Sequence, residues 1–339
     1  MAGYSEINLN NFSEFADTTE RRFAEGADLV KDLDDVMSLY MVENIPAGTG
    51  DRRLLYESFD ADTYARNKAE GANASKAQAV MGYNVTATRK RIAAEIDITY
   101  EARVDGKNQE IIKKVTSLST HVPQRMALDG THIFTFATAT SYTDMDGDTV
   151  TTTVGDSLAL VSAVHTLNGS SSTYSNVITG NPAFSQGGLE VAMLQANTQI
   201  VNNFNEQRVM NFNTVVTYND PATVREVRQL LNSTADTTQN NPGVTNTYKG
   251  MFKHVILPRL ATTAAGAYDS TKAKYWMYIA VGEWDAHCLI WEPANLKKPA
   301  AGNNGEDLHN DNWSFGCRGG YVFRAVAGRG LLHSTGLGA

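Results

Sequence analysis

Three aspartates, Asp144, Asp146 and Asp148, fall within five residues in TDMDGDT, and carboxylates so spaced could hold a hard cation through oxygen ligands. A calcium loop needs glycine at its sixth position and glutamate at its twelfth, whereas Gly147 is fourth from Asp144 and position 155 is Gly155. A solvated turn, with Asp146-Gly147 giving the positive dihedral, is the simpler reading. The seven histidines are dispersed, so His121, His165, His254 and His287 read as surface or internally satisfied groups rather than ligands. The two cysteines, Cys288 and Cys317, are too few for a disulfide framework and read as small core or interface thiols in a reducing compartment. The sequence contains no GxSxG, GxxxxGK[ST], strand-to-helix GxGxxG, HExxH or CxxC. No catalytic, cofactor-binding or metal residue is therefore assigned, and no cofactor is expected.

Basic pairs and triplets occur at Arg52-Arg53, Arg89-Lys90-Arg91, Lys113-Lys114 and Lys297-Lys298. Short runs of this kind form solvated faces, or serve intersubunit pairing and loose phosphate contact. The four tryptophans, Trp276, Trp284, Trp291 and Trp313, all lie in the last quarter and imply an apolar core there, with interface anchoring as the alternative.

The elements that must position these groups follow from periodicity. Phe23, Ala27, Val30, Leu33, Met37 and Tyr40 recur at helical spacing, which predicts a helix over 19–43 capped at Thr18 or Thr19 and ended by IPAGTG at 45–50. From 60 to 79 almost no large apolar side chain is present, so this stretch cannot pack as a core element and should project outward. Ile92, Ala94, Ile96, Ile98 and Tyr100 alternate with polar residues as in a half-buried strand. Tyr83, Val85 and Ala87 alternate in the opposite phase, so the register breaks near Arg89–Arg91. Residues 58–100 read as one long hairpin-like excursion.

A second helical stripe, Ile111 or Ile112, Val115, Leu118, Val122, Met126, Ile133 and Phe136, runs over about 108–136 with a kink expected at Pro123. The Thr, Ser, Asp and Gly-rich region 139–188 predicts short strands and loops, and Leu189 to Phe204 a third helix. The clearest local unit is a strand at 214–218, Asn219-Asp220-Pro221 as cap and first-turn proline, and a helix to Leu231. Further strands are expected at 252–257, 275–281, 287–291 and 313–327. The class is mixed α and β.

The chain has 339 residues, 42% hydrophobic and 19% charged, enough for two domains or one elaborated domain with a real core. Its net charge of −8 argues against a surface that clamps nucleic acid everywhere, though not against a local basic face. The longest strongly apolar stretch, 275–281, is far too short for a membrane span, and the first residues lack a secretory pattern. No membrane partner is expected.

In this order the features resemble the major capsid protein of tailed bacteriophages with the Hong Kong 97-type fold, in the branch that includes Mu-like major head proteins. EGANASKAQAVMGYNVTATRKRIAAEIDITYEARVDGKN resembles that family's extended E-loop and the strand leading to its spine helix. GDSLALVSAVHTLNGSSSTYSN resembles the run after the spine, NFNTVVTYNDPATVREVRQLLNS the opening of the A-domain, and RGGYVFRAVAGRGLLHSTG the strand closing the P-domain.

The resemblance implies an α+β capsid fold divided into an N-terminal arm (1–57), the E-loop and adjoining strand (58–105), a P-domain (106–211) with a spine helix over 108–137, an A-domain (212–310) and a return to the P-domain (311–339). It implies a non-enzymatic head protein that self-assembles into hexamers and pentamers of an icosahedral shell around double-stranded DNA, in the virion after assembly in the host cytoplasm. The implied partners are further copies of the chain, a portal, decoration proteins and, since the short arm leaves no room for a fused one, a separate scaffolding protein. Some members crosslink a loop lysine to an asparagine; Lys68 and Lys76 lie in the loop, but no asparagine or assisting acid matches, so crosslinking is not expected. An encapsulin-like compartment and an enzyme with an unrecognised site stay open as alternatives.

Overall fold

The computed structural model describes residues 12–27, 30–57, 60–61, 64–76, 78–105, 108–235, 245–298 and 312–338. Its helices are α1 Phe12–Ala27, α2 Lys31–Met37, α3 Tyr100–Val104, α4 Asn108–Leu118, α5 His121–Thr135, α6 Gln186–Thr198 and α7 Pro221–Asn232. No described helix is long and apolar enough to cross a membrane.

One four-stranded sheet joins β1 Met41–Asn44, β14 Ala286–Lys297, β15 Trp313–Ala325 and β6 Lys90–Ile98 in that spatial order, with β1 parallel to β14 and the other pairs antiparallel. A second joins β12 Lys253–Ile256, β11 Thr214–Thr217, β13 Trp276–Ile279 and β16 Leu331–Ser334. Among the described residues there are also four small antiparallel pairs: β2 Arg52–Tyr56 with β5 Asn84–Thr88, β3 Asp60–Ala61 with β4 Ala79–Val80, β7 Ser141–Thr143 with β8 Thr149–Thr151, and β9 His165–Thr166 with β10 Thr173–Tyr174.

The second sheet is covered on both faces, so every residue of TVVT and WMYI is buried instead of alternating with solvent. Val216, Met277, Ile279 and Leu331 join the core formed by α5 and the first sheet, whereas Val215, Trp276, Tyr278 and Leu332 join a separate core with Leu189 and Ala192 of α6 and Val227 and Leu230 of α7. The strand, cap and helix unit is as expected: Asp220 accepts from Thr223 N (2.9 Å), Pro221 opens α7, and Val224, Val227 and Leu231 are buried. In the first core Tyr40 donates to Gly130 O (2.7 Å) and meets Phe134, Phe323 and Trp284. Gly130 has no room for a side chain, since a Cβ there would lie 2.6 Å from Val36 and 2.9 Å from Phe323. Cys288 and Cys317 are buried and unpaired with each other, and Trp276, Trp284 and Trp313 are core.

Several elements differ from the sequence expectation. The helix over 19–43 is two helices and a strand, and Thr18 and Thr19 lie inside α1; after Met37 a tight turn feeds Met41–Asn44 into pairing with β14. Tertiary pairing there outweighs the helical spacing. The kink expected at Pro123 is a full break three to four residues earlier, at Ser119-Thr120, where Ser119 Oγ and Thr120 Oγ1 bond carbonyls of the preceding turn. Pro123 then sits in the first turn of α5, where no backbone donor is needed. The third helix stops at Thr198, and β16 was not expected. The hairpin-like excursion expected over 58–100 ends earlier: β2 with β5 and β3 with β4 form its antiparallel arms, the register breaks at Arg89 as expected, and β6 leaves it to pair with β15.

Candidate assembly element

Residues 64–76 are exposed throughout and form no helix or strand, which is the outward projection that their composition predicts. They are carried on the β2–β5 and β3–β4 ladders. The lower ladder has its own small core, in which Leu55, Val85 and Ala87 pack with Ile45, Leu289 and Val326. Tyr64, Met81, Tyr56 and Leu54 around the projection are exposed at 65, 53, 49 and 44%. Large apolar groups left open beside a polar projection fit a surface that another protein covers. Lys68 and Lys76 are exposed on this segment, as expected.

The root of the projection is polar and buried. Glu57 N donates to Tyr83 O (2.9 Å), Tyr83 N donates to Glu57 Oε2 (3.0 Å), and Arg329 Nη2 donates to Glu57 Oε1. Asn168 Nδ2 donates to Met81 O (2.9 Å), and Tyr83 Oη lies 3.2 Å from Thr166 Oγ1. Beneath them His165 donates from Nδ1 to Asp156 Oδ2 (2.8 Å) and stacks on Tyr174. Burial acts to raise the Asp156 carboxyl, but bonds from His165 and Leu158 N outweigh it and hold the group below the usual range. Burial pushes the Tyr174 hydroxyl well above its ordinary value. The Thr, Ser and Gly-rich region 139–188, whose short strands are as expected, thus provides the seat of the projection.

Arg89 and Lys90 correct the solvated-face expectation for the basic triplet, whereas Arg91 stays largely exposed. Arg89 pairs with Glu292 (2.9 Å), Lys90 with Asp144 (2.6 Å) and Asp129 (3.1 Å), and Arg91 with Asp51 (2.7 Å), because β6 lies against carboxylates distant in sequence. The Asp-rich turn is likewise more than solvated: Gly147 does take a positive φ of 87°, but the Asp144 side chain is only 1% exposed and also pairs with Arg125 (3.1 Å). Burial opposes the Asp144 charge, yet Lys90 and the N–H groups of Asp146 and Asp148 hold its carboxyl below the usual range. A groove of about 950 Å³ beside this cluster is lined by Arg89, Lys90, Arg91, Arg125, Asp146 and Arg324.

Among the described residues no group of three His, Cys, Asp or Glu side chains is placed to hold a metal ion. His165 is an internally satisfied group as expected, and His254 Nε2 meets Thr217 Oγ1 at 2.9 Å. Arg52, Arg53, Lys113 and Lys114 are exposed, whereas Lys298 pairs with Glu20 (2.6 Å). Sequence reasoning missed Glu57 and Arg329. The only local signal was Gly328 and Gly330 flanking Arg329, the second with φ of 86°.

No protein-family model matches this sequence, and no curated protein matches it. Among solved structures, the capsid of the cyanophage P-SCSP1u aligns with 87% of this chain and 86% of its own at 8% identity, with a TM-score of 0.50. The capsid of the Myoviridae phage XM1 aligns over 89% of this chain and 91% of its own at 12% identity and a TM-score of 0.45. For the virus-like particle from Pyrococcus furiosus the shares are 94% and 98%, at 8% identity and a TM-score of 0.43. At such identities the likeness is one of fold. The chain has the fold of the cyanophage capsid subunit, and the α+β capsid architecture expected from the sequence is borne out at that level.

Proposed function

We propose that this chain is the repeating, non-enzymatic subunit of a closed icosahedral shell of hexamers and pentamers that encloses double-stranded DNA. The observation that carries the reading is the projection: 64–76 is exposed at every residue, on ladders rooted in the body, and only a neighbouring protein could cover it. The shared fold with a cyanophage capsid supports it, since that protein is itself a shell subunit.

The division into an arm (1–57), E-loop and strand (58–105), P-domain (106–211), A-domain (212–310) and return (311–339) belongs to this proposal, as do a separate scaffold, portal and decoration partners and assembly in a host cytoplasm. DNA would be held without reading its sequence, through local basic residues such as Lys113 and Lys114, against a net charge of −8. Each subunit should bury well over the roughly 1,600 Å² of a standard interface.

Sedimentation and small-angle scattering of purified protein across salt and pH test the reading. Closed particles are expected, and packaged particles should hold nuclease-resistant DNA. Monomers under every condition would contradict the shell, and particles that hold protein cargo and no DNA would indicate an encapsulin-like compartment.

A further inference from the structure

The two ends of the projection meet at one buried ion pair. Glu57 is the last residue before the excursion and Tyr83 the first after its outer ladder; the two exchange a backbone bond and a side-chain bond, and Arg329 closes the set from the far side. The Glu57 and Arg329 side chains are 4% and 3% exposed, so neither can touch a neighbouring protein. Space around them is tight. A Cβ on Gly82 would fall 2.7 Å from the Glu57 side chain, and one on Gly328 would fall 2.7 Å from Asn176 Nδ2 and 2.8 Å from His165 Nε2. Asn176 Nδ2 also donates to Gly328 O (3.1 Å), which fixes the turn that presents Arg329. One residue past Gly330 the chain enters β16 of the second sheet.

Resting on the shell reading, we propose that Glu57–Arg329 is a latch that fixes the angle of the projection before any neighbour is met. Beyond the small core under β2 and β5, the described segment 64–76 buries no side chain, so its direction is set where the chain leaves that ladder, at Glu57 and Tyr83. A buried charge pair cannot loosen gradually, because separating the partners leaves an unpaired charge in a dry site, so the root is either closed or open. Closed, it presents the segment in one direction and lowers the ordering cost of association. Open, it lets the segment swing about residues 57 and 83 while both sheets stay intact, as local opening does elsewhere. Glu57 and Arg329 are thus positioning residues for contacts made by other residues.

The test is hydrogen exchange on the unassembled subunit, paired with particle yield. Glu57→Gln keeps the size and the acceptor for Tyr83 but removes the charge; Gly82→Ala keeps both charges and displaces the Glu57 side chain. In each variant the amides of Glu57 and Tyr83 should exchange at least about tenfold faster while those of β11 and β13 keep parental rates. Particle yield should fall although no contact residue has changed. Parental exchange at the root in both variants would overturn the latch, as would faster exchange spread over the whole chain or loss of folding, either of which would make the pair a core element. Because the exchange is read before assembly, it judges the latch separately from the shell: faster root exchange with parental particle yield would retain the hinge and overturn its role in association.

Discussion

The sheet β12–β11–β13–β16 and the projecting segment 64–76 obey opposite rules. In the sheet every residue of β11, β13 and β16 is buried, between one core shared with α5 and another shared with α6 and α7. In the projection every residue from 64 to 76 is exposed, and what is buried lies at the root as a charge pair. The sheet is held by apolar area, which tolerates no charge. The segment 64–76 is held through its ladders and their polar seat, not by apolar packing of its own residues. On the proposed shell reading the chain folds on one part of its sequence and associates through another, so mutations should separate the two.

The largest effect is expected from Val227→Asp. Val227 is fully buried against the second sheet, and an unpaired carboxylate there costs roughly 3–5 kcal/mol, a large share of the roughly 5–15 kcal/mol of a folded domain, so soluble folded yield should fall sharply. The same charge placed on the projection by Asn73→Asp should leave the thermal midpoint unchanged, and a normal soluble yield of the Val227 variant would show that α7 presents another face.

Acid should act on the body next. Burial lowers His132 and His333 to about 4, against about 6.5 in an unfolded chain. Between these values unfolding takes up protons, so their contribution is full above pH ~6.5 and is lost as pH falls toward 4. The thermal midpoint should be flat from pH 7 to 8 and fall steadily below 6.5; a flat profile down to pH 4.5 would contradict this.

Asp144→Asn should be milder. It removes one carboxylate from Lys90 and Arg125 but leaves Asp129 and Asp146, so a loss of about 1.5–3 kcal/mol is expected in denaturant unfolding. The smallest effect is kinetic. Burial pushes the Cys288 thiol to about 12 and the Cys317 thiol to about 11, so a small thiol reagent at pH 8 should react only as fast as the protein opens. Rapid labelling of the native protein would place a thiol at an open surface.

How far the sequence could be read follows the same division. The unit from β11 to α7 was legible because its signals are local: alternating apolar residues, Asp220 as cap, Pro221 at the first turn. The projection was legible from what it lacks. Pairings over long separations were not: the alternation of Ile92 to Ile98 marks a strand but not β15 as its partner, and Arg89 and Lys90 look solvated until β6 brings them against Glu292 and Asp144. Glu57 and Arg329 stand 272 residues apart, so no spacing rule could join them.

Replacing Arg66 to Ala79 with a short Gly-Ser linker tests the central claim most directly, with circular dichroism and negative-stain imaging of variant and parent. Removing exposed residues takes little from the core, so the variant should keep the parental spectrum and solubility and stop at monomers or capsomers. Full-sized shells at parental yield would contradict the assembly role of the projection.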